Sequence, residues 1–109
     1  MLNTPSTTTI MGFDFEGPFD YQDPWVLRSL AGVYVITDLT LFGRRWLDVG
    51  ESGDVRTRVS NHDRASSWGR SAVGRISVYA HYMPFSTAEE RRTREILLRV
   101  LLSPECGSY

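Results

Sequence analysis

Three things are scarce in this chain of 109 residues: it has no lysine, one cysteine and no long hydrophobic run. The lone Cys106 cannot form an internal disulfide, so the composition does not require an oxidising compartment. The longest apolar stretch, residues 96–102, is interrupted by Arg99 and is far shorter than the roughly 20 residues of a membrane-spanning helix. The N-terminal residues lack the basic and apolar regions of a secretory signal. We therefore expect a soluble, cytoplasmic protein that has no membrane partner.

Arginine supplies every basic side chain. Twelve arginines face thirteen acids, for a net charge of −1, which argues against a protein that coats nucleic acid indiscriminately. Residues 1–30 hold four acids and one arginine, whereas residues 31–109 hold nine acids and eleven arginines. Arginine makes planar, bidentate contacts to phosphate. Because a lysine-free chain also arises from the base composition of a genome, we prefer that explanation of the bias.

Composition divides the chain into three segments. Residues 1–10 are rich in Thr and Ser, which cannot build a core, and we predict a disordered tail there. Residues 11–30 space aromatic side chains among Gly and Pro, which predicts an irregular segment that packs on the rest of the protein. Regular patterns begin at residue 31, and we expect residues 31–109 to form one folded domain.

Hydrophobic patterns in the third segment predict strands and helices in the order β-β-α-β-α. Residues rich in β-branched and aromatic side chains predict three strands, at 32–37, 45–50 and 75–83. One helix should run from about 55 to 62, and a second from the Ser86 and Glu89 capping box to about 102. The polar stretch 63–73 is predicted to be a loop. This order predicts an α+β fold with a small three-stranded antiparallel sheet flanked by helices.

The same patterns predict which side chains are buried. In the hairpin, strict alternation places one set on the core face: Val33, Val35, Leu47 and Val49. It places the other set on the opposite face: Tyr34, Ile36, Trp46 and Asp48. The second helix should bury an apolar stripe: Ile96, Leu97, Val100 and Leu101.

Two short motifs lie on the predicted hairpin, and further residues follow them in order. Residues 32–34 (GVY) open the first strand, and residues 48–50 (DVG) close the second. The next helix contains Arg58 within the stretch DVRTRV, with His62 one turn later, and the last helix contains Glu95. This arrangement resembles the GIY-YIG nuclease domain, in which a Gly-Ile-Tyr strand, a Tyr-Ile-Gly strand, a catalytic Arg and a metal-binding Glu occur in this order.

The resemblance implies a metal-dependent endonuclease that hydrolyses phosphodiester bonds, with nucleic acid, DNA first, as its partner. It implies that Glu95 binds one Mg²⁺ or Mn²⁺ ion and that Arg58 stabilises the charge of the phosphate. Tyr34 and His62 would activate water. Neighbouring residues are candidate substrate contacts: Asp48, Gly50, Glu51, Ser52 and Asn61. Because the chain is short, we expect a homodimer or a partner protein to supply specificity.

Departures from the family pattern leave other interpretations open. Asp48 replaces the tyrosine of the second motif, where it would be a second metal ligand, a group that adjusts the pKa of Tyr34 or His62, or the mark of a degenerate site. The asparagine that often follows the family's proline is missing after Pro104. The alternative function is therefore a catalytically degenerate GIY-YIG-like domain that binds nucleic acid or protein. A small phosphate-containing substrate is a third interpretation.

Each candidate residue also has a plainer interpretation. A tyrosine in a strand, such as Tyr34, usually packs in a core. Glu95 lies four residues from both Arg91 and Arg99, which is the spacing of an ordinary ion-pair stripe on a helix. His62 suits the C-terminal end of a helix, where a cation is favoured.

The predicted loop contains one tryptophan between two arginines. Arg64, Trp68 and Arg70 would suit an aromatic and cationic surface for a nucleic-acid strand. A tryptophan in this place more often closes the edge of a core, and we prefer that interpretation.

Overall fold

The hairpin predicted around residues 32–50 forms the middle of a larger antiparallel sheet. In the computed structural model, which describes residues 6–107, five strands pair in the order β1-β2-β5-β3-β4. The strands are β1 (Thr7–Ile10), β2 (Phe13–Asp20), β3 (Gly32–Thr40), β4 (Gly43–Ser52) and β5 (Arg75–Tyr82). The helices are α1 (Val55–Ser60), α2 (Ala65–Ser71) and α3 (Ala88–Leu102), and a 3-10 turn covers Pro24–Val26.

The sheet has five strands, so the expectation of a three-stranded sheet is wrong, although the protein is α+β overall. Strand β3 lies between β4 and β5, where Tyr34 pairs with Gly50 on one neighbour and with Ala80 on the other. Strand β5 pairs on its far side with β2, which pairs with β1. The N-terminal hairpin therefore extends the sheet that the sequence predicted.

Strand β2 was missed because it contains residues that usually interrupt a strand, and β1 is a short strand that pairs with it. Strand β2 includes Gly17 and Pro18, yet its pairing with β5 shifts register between Glu16 and Phe19. A bulge of this kind accommodates a proline, which cannot donate a ladder hydrogen bond. Strand β1 occupies part of the segment predicted to be disordered, and residues 1–5 of that segment lie outside the described residues.

Helices cover both faces of the sheet. Helices α1 and α2 pack on one face, over what we call the α1 core, and α3 packs on the other, over the α3 core. Buried residues of the α1 core are Leu27, Tyr34, Ile36, Leu47, Val55, Val59, Trp68, Val78, Ala80 and Cys106. Buried residues of the α3 core are Ile10, Phe15, Val33, Val35, Val49, Tyr79, Leu98 and Leu102.

A bulge in β4 changes which side chains face each core. Strands β3 and β4 shift register between Ile36 and Thr37, which leaves Leu47 as the extra residue. Leu47 therefore packs in the α1 core rather than with Val49, and Trp46 packs against the α3 core. Strict alternation predicted the opposite face for both Leu47 and Trp46, because a one-residue shift moves side chains to the other side of a sheet.

Helix α3 faces the sheet with two arginines rather than with its most hydrophobic side. Arg99 is buried against Asp48, and Arg91 is buried against Glu51. The stripe predicted to be buried is instead 42–57% exposed: Ile96, Leu97, Val100 and Leu101. Apolar residues surround the C-terminal half of this helix, so periodicity alone does not define its inner face. The two ion pairs with β4 select the orientation.

The helix boundaries also differ from the predictions. Helix α1 ends at Ser60 rather than at His62, and α2 occupies part of the predicted loop. The capping box of α3 is Thr87 with Glu90, one residue after the predicted pair. Helix α2 was missed because Trp68 is its one buried side chain, which is too little for a helical pattern. In the part of the chain that the structure describes, no helix is long and apolar enough to cross a membrane.

Phe15→Ala should lower the free energy of unfolding by about 3–5 kcal/mol, because Phe15 is fully buried in the α3 core. Phe42→Ala is the matched control: Phe42 is 99% exposed at the tip of the β3–β4 hairpin, and its loss should change stability by less than about 0.5 kcal/mol. Urea unfolding measures both variants. Equal, small losses would show that the N-terminal hairpin is not part of the core.

Candidate active site

Tyr34 and His62 form a buried, hydrogen-bonded pair. Tyr34 lies on the central strand β3, and His62 follows α1 on the face that Tyr34 points to. Tyr34 Oη and His62 Nε2 are 2.7 Å apart, and the two residues are 1% and 6% exposed. The His62 ring also packs on Trp68, with ring centroids 4.5 Å apart. The structure thus brings two of the predicted site residues into direct contact.

The backbone determines which nitrogen of His62 carries the proton. The N–H of Arg64 donates to His62 Nδ1 at 3.0 Å, and Asp63 Oδ1 lies 3.3 Å from the same nitrogen. The shorter backbone hydrogen bond assigns the lone pair to Nδ1 and the proton to Nε2. Burial, together with the charges of Arg58 and Arg64, lowers the pKa of His62 from 6.5 to about 4. The ring is therefore neutral at neutral pH. It donates a hydrogen bond to Tyr34 Oη and does not accept the proton of Tyr34.

The hydroxyl of Tyr34 is held over a glycine. Burial raises the pKa of Tyr34 to about 12, although the charge of Arg58 offsets part of this effect. A Cβ atom at Gly50 would overlap the Tyr34 ring and hydroxyl. Gly50, which was predicted to contact substrate, therefore provides the space in which the Tyr34 ring lies.

Arg58 supplies an exposed positive charge next to the pair. Its side chain projects from α1, is 37% exposed, and donates from Nη2 to Asp63 Oδ1 at 3.1 Å. Asp63 is 71% exposed, so solvent screens this ion pair and it contributes little to stability. Arg58 can therefore exchange Asp63 for a phosphate with little loss.

Glu95 lies on α3 in the electrostatic field of a second carboxylate. Burial raises the pKa of Glu95, the charge of Arg99 lowers it, and the charge of Glu51 raises it. Glu95 Oε2 is 3.6 Å from Arg99 Nε. The predicted pairing of Glu95 with Arg91 does not form, because Arg91 Nε donates to Glu51 at 2.9 Å.

Carboxylates such as Glu51 and Glu95 are the type of oxygen ligand that a hard divalent cation takes. A cation would relieve the repulsion between Glu51 and Glu95, and the 21% exposed side chain of Glu95 leaves room for water ligands. Within residues 6–107, no three His, Cys, Asp or Glu side chains are grouped as metal ligands. An ion at Glu95 would therefore depend mainly on water and substrate oxygens for its coordination.

Asp48 is fully buried and saturated with hydrogen bonds. Its carboxylate accepts from Arg64 Nε at 2.7 Å and from Trp68 Nε1 at 2.8 Å. Arg99 Nη2 donates at 2.6 Å, and Arg64 Nη2 and the Val49 N–H donate at 3.3 and 2.9 Å. Five donors exceed the roughly four lone-pair positions of a carboxylate. The geometry therefore supports a structural role for Asp48 rather than contact with metal or substrate.

Two other predicted substrate contacts serve local turns. Ser52 Oγ donates to the Asp54 carbonyl and accepts from the Asp54 N–H. Asn61 Nδ2 donates to the Thr57 carbonyl at the end of α1. Substrate contact by Ser52 or Asn61 stays a prediction, since turn formation accounts for both side chains.

The sequence placed Arg64 in a candidate nucleic-acid surface but did not predict its contacts. Trp68 is fully buried, which confirms the preferred core-edge interpretation. Arg64 touches both His62 and Asp48. No local pattern predicts the contact with Asp48, because Asp48 precedes Arg64 by 16 residues.

Comparison of the chain with protein-family models, with curated proteins and with solved structures finds no match. Functional conclusions therefore depend on the chemistry of the site, and the GIY-YIG resemblance stays a prediction.

The free energy of unfolding should fall by up to about 3 kcal/mol as the pH drops from 6.5 to about 4, as a result of His62 alone. In this range the unfolded chain binds a proton at His62 and the folded protein does not, so acid favours unfolding. Urea unfolding across this range should show a weaker pH dependence for His62→Gln than for wild type. A dependence unchanged in His62→Gln would contradict the assignment.

Proposed function

We propose that this protein is a metal-dependent endonuclease of the GIY-YIG type that hydrolyses phosphodiester bonds in DNA. The observation that carries the proposal is the 2.7 Å hydrogen bond between Tyr34 Oη and His62 Nε2, next to the charge of Arg58. A tyrosine paired in this way is a candidate base, and an arginine beside it stabilises negative charge on a phosphate. Glu95 supplies the carboxylate for a cation.

Tyr34 acts on the attacking water. Because its pKa is about 12, its hydroxyl is protonated at neutral pH. Formation of the phenolate requires that this proton passes to solvent when the site opens, and nearby positive charge supports that loss. His62 stabilises the phenolate by donating its Nε2–H to Oη, and the charge of Arg58 favours the same form. The phenolate is a strong base for the water that attacks phosphorus. The side chain of His62 is 0% exposed, so His62 acts through Tyr34 rather than on water.

Arg58 both binds the phosphate and controls access to Tyr34. Tyr34 is 1% exposed, so substrate reaches its hydroxyl once neighbouring side chains move. Arg58 is the exposed member of this group, and its contact with Asp63 is open to solvent. A phosphate that draws Arg58 away from Asp63 would replace one ion pair with a stronger bidentate one.

One Mg²⁺ or Mn²⁺ ion belongs to this proposal. Such an ion neutralises charge on the phosphate and polarises its oxygens when it is bound. Glu95 would hold the ion, with the charge of Glu51 nearby to favour its binding. The homodimer or partner protein expected to supply specificity stays a prediction.

A nucleic-acid-binding domain without turnover is the second candidate. The burial of Tyr34 favours it, as does the structural use of Asp48 at the position where the family has its second tyrosine. In such a domain Arg58 would bind phosphate, and a divalent ion would not be required.

Nicking of supercoiled plasmid in Mg²⁺ or Mn²⁺ distinguishes the two candidates. Arg58→Ala and Glu95→Gln should each lower the rate by roughly 100-fold or more, because they remove charge that stabilises the transition state. Glu89→Gln is the matched control: Glu89 is an exposed glutamate on the same helix, and its loss should leave the rate unchanged.

Equal rates in all four proteins would identify a contaminating nuclease and overturn the proposal. An inactive wild type that still binds DNA without metal would support the second candidate.

A further inference from the structure

We propose that Arg64 is a second phosphate-binding residue of this site, presented to the substrate by Asp48. The inference rests on the proposed function, since it assumes a nucleic-acid strand beside Tyr34. Two arginines bind the carboxylate of Asp48, and their side chains differ in exposure. The side chain of Arg99 is 2% exposed, whereas that of Arg64 is 29% exposed. Arg99 is therefore confined to the interior, and Arg64 faces solvent.

The contacts of Arg64 fix its orientation and leave one nitrogen available. Its Nε and Nη2 donate to the two carboxylate oxygens of Asp48 at 2.7 and 3.3 Å, which holds the guanidinium in a forked geometry. Its Nη1 donates to none of the residues that the structure describes. Gly107 packs closely against the Nε side of this group, since a Cβ there would lie 3.0 Å from Arg64 Nε.

The cluster around Asp48 has an excess of positive charge. One carboxylate faces two arginines, Arg64 and Arg99. Two further acids lie nearby: Glu95 is 3.6 Å from Arg99 Nε, and Asp63, whose charge also acts on Arg64, is paired with Arg58. Arg64 therefore shares the carboxylate of Asp48 with Arg99 and is the solvent-facing member of the two. A phosphate provides the matching negative charge and an oxygen that accepts a charge-assisted hydrogen bond from Nη1.

The charge of Arg64 also influences the pKa values of other residues of the site. Its charge lowers the pKa of three residues: Tyr34, His62 and Glu95. Arg58 acts in the same sense on Tyr34 and His62. Arg64 therefore lies within electrostatic reach of both the tyrosine and the carboxylate expected to bind metal. Two cations near one tyrosine suit a strand that presents successive phosphates.

The salt dependence of DNA binding tests this role without any cleavage. Binding of a short duplex is measured in EDTA across a salt series, for wild type and Arg64→Gln. Each phosphate contact contributes about 0.9 to the slope of log affinity against log salt, so Arg64→Gln should reduce the slope by about that amount. The glutamine retains a hydrogen-bond donor for Asp48, and thermal unfolding verifies that the variant is folded.

Two controls separate contact with phosphate from structural effects. Trp68→Phe removes a hydrogen bond to Asp48 without changing charge, and its slope should equal that of wild type. Arg75→Gln removes an exposed arginine from the far end of β5, opposite Leu39, and should also leave the slope unchanged.

An unchanged slope in Arg64→Gln, an equal loss in either control, or absence of DNA binding by the wild type would each overturn the assignment. Because the measurement excludes metal, its result is independent of nicking: a wild type that nicks DNA while Arg64→Gln keeps the full slope sinks this inference alone.

Discussion

The rest of the site depends on the hydrogen bonds and ion pairs of one buried carboxylate, that of Asp48. Asp48 joins β4 to α2 through Trp68, and to α3 through Arg99. An unpaired charge in this position would be strongly destabilising, and removing one partner of a buried ion pair typically costs about 3–5 kcal/mol. Arg64 is held by the same carboxylate, and its N–H in turn sets the proton position on His62. The hydrogen bond between His62 and the Tyr34 hydroxyl therefore depends on Asp48, a charge that is buried in the neighbouring strand β4.

The same charge explains the orientation of α3 and of the segment after it. Arg99 lies on the buried side of the helix together with Leu98 and Leu102, so Leu97 and Leu101 face solvent. The Nη1 of Arg99 donates to the Cys106 carbonyl at 3.1 Å. The Cys106 N–H donates to the Leu47 carbonyl at 2.7 Å, and Gly107 follows with φ +79°. A Cβ at Gly107 would lie 2.9 Å from Asp48 Oδ1. Backbone hydrogen bonds therefore close this side of the site, in the segment that lacks the family's asparagine.

The centre of the fold was predictable, because β3, β4 and β5 are rich in residues that favour strands. The resemblance assigned Tyr34 and His62 to one site, but their hydrogen bond was not predicted. The outer strands were not predictable, because a bulge allows β2 to include Pro18, a residue that is usually excluded from the interior of a strand. Ion pairs between residues that are far apart in the sequence account for the other wrong predictions. Periodicity favours burial of leucine over arginine in α3, and no local pattern shows that Arg99 and Arg64 would meet Asp48 across the sheet edge.

The central claim is that a divalent ion binds at Glu95 while a substrate phosphate binds at Arg58. A crystal structure with Mn²⁺ and a short DNA strand tests it most directly, because anomalous scattering locates manganese independently of the DNA. The expected result is manganese on the Glu95 carboxylate, with a phosphate in hydrogen-bond contact with Arg58. Manganese on unrelated carboxylates, or DNA bound away from Arg58, would contradict the claim.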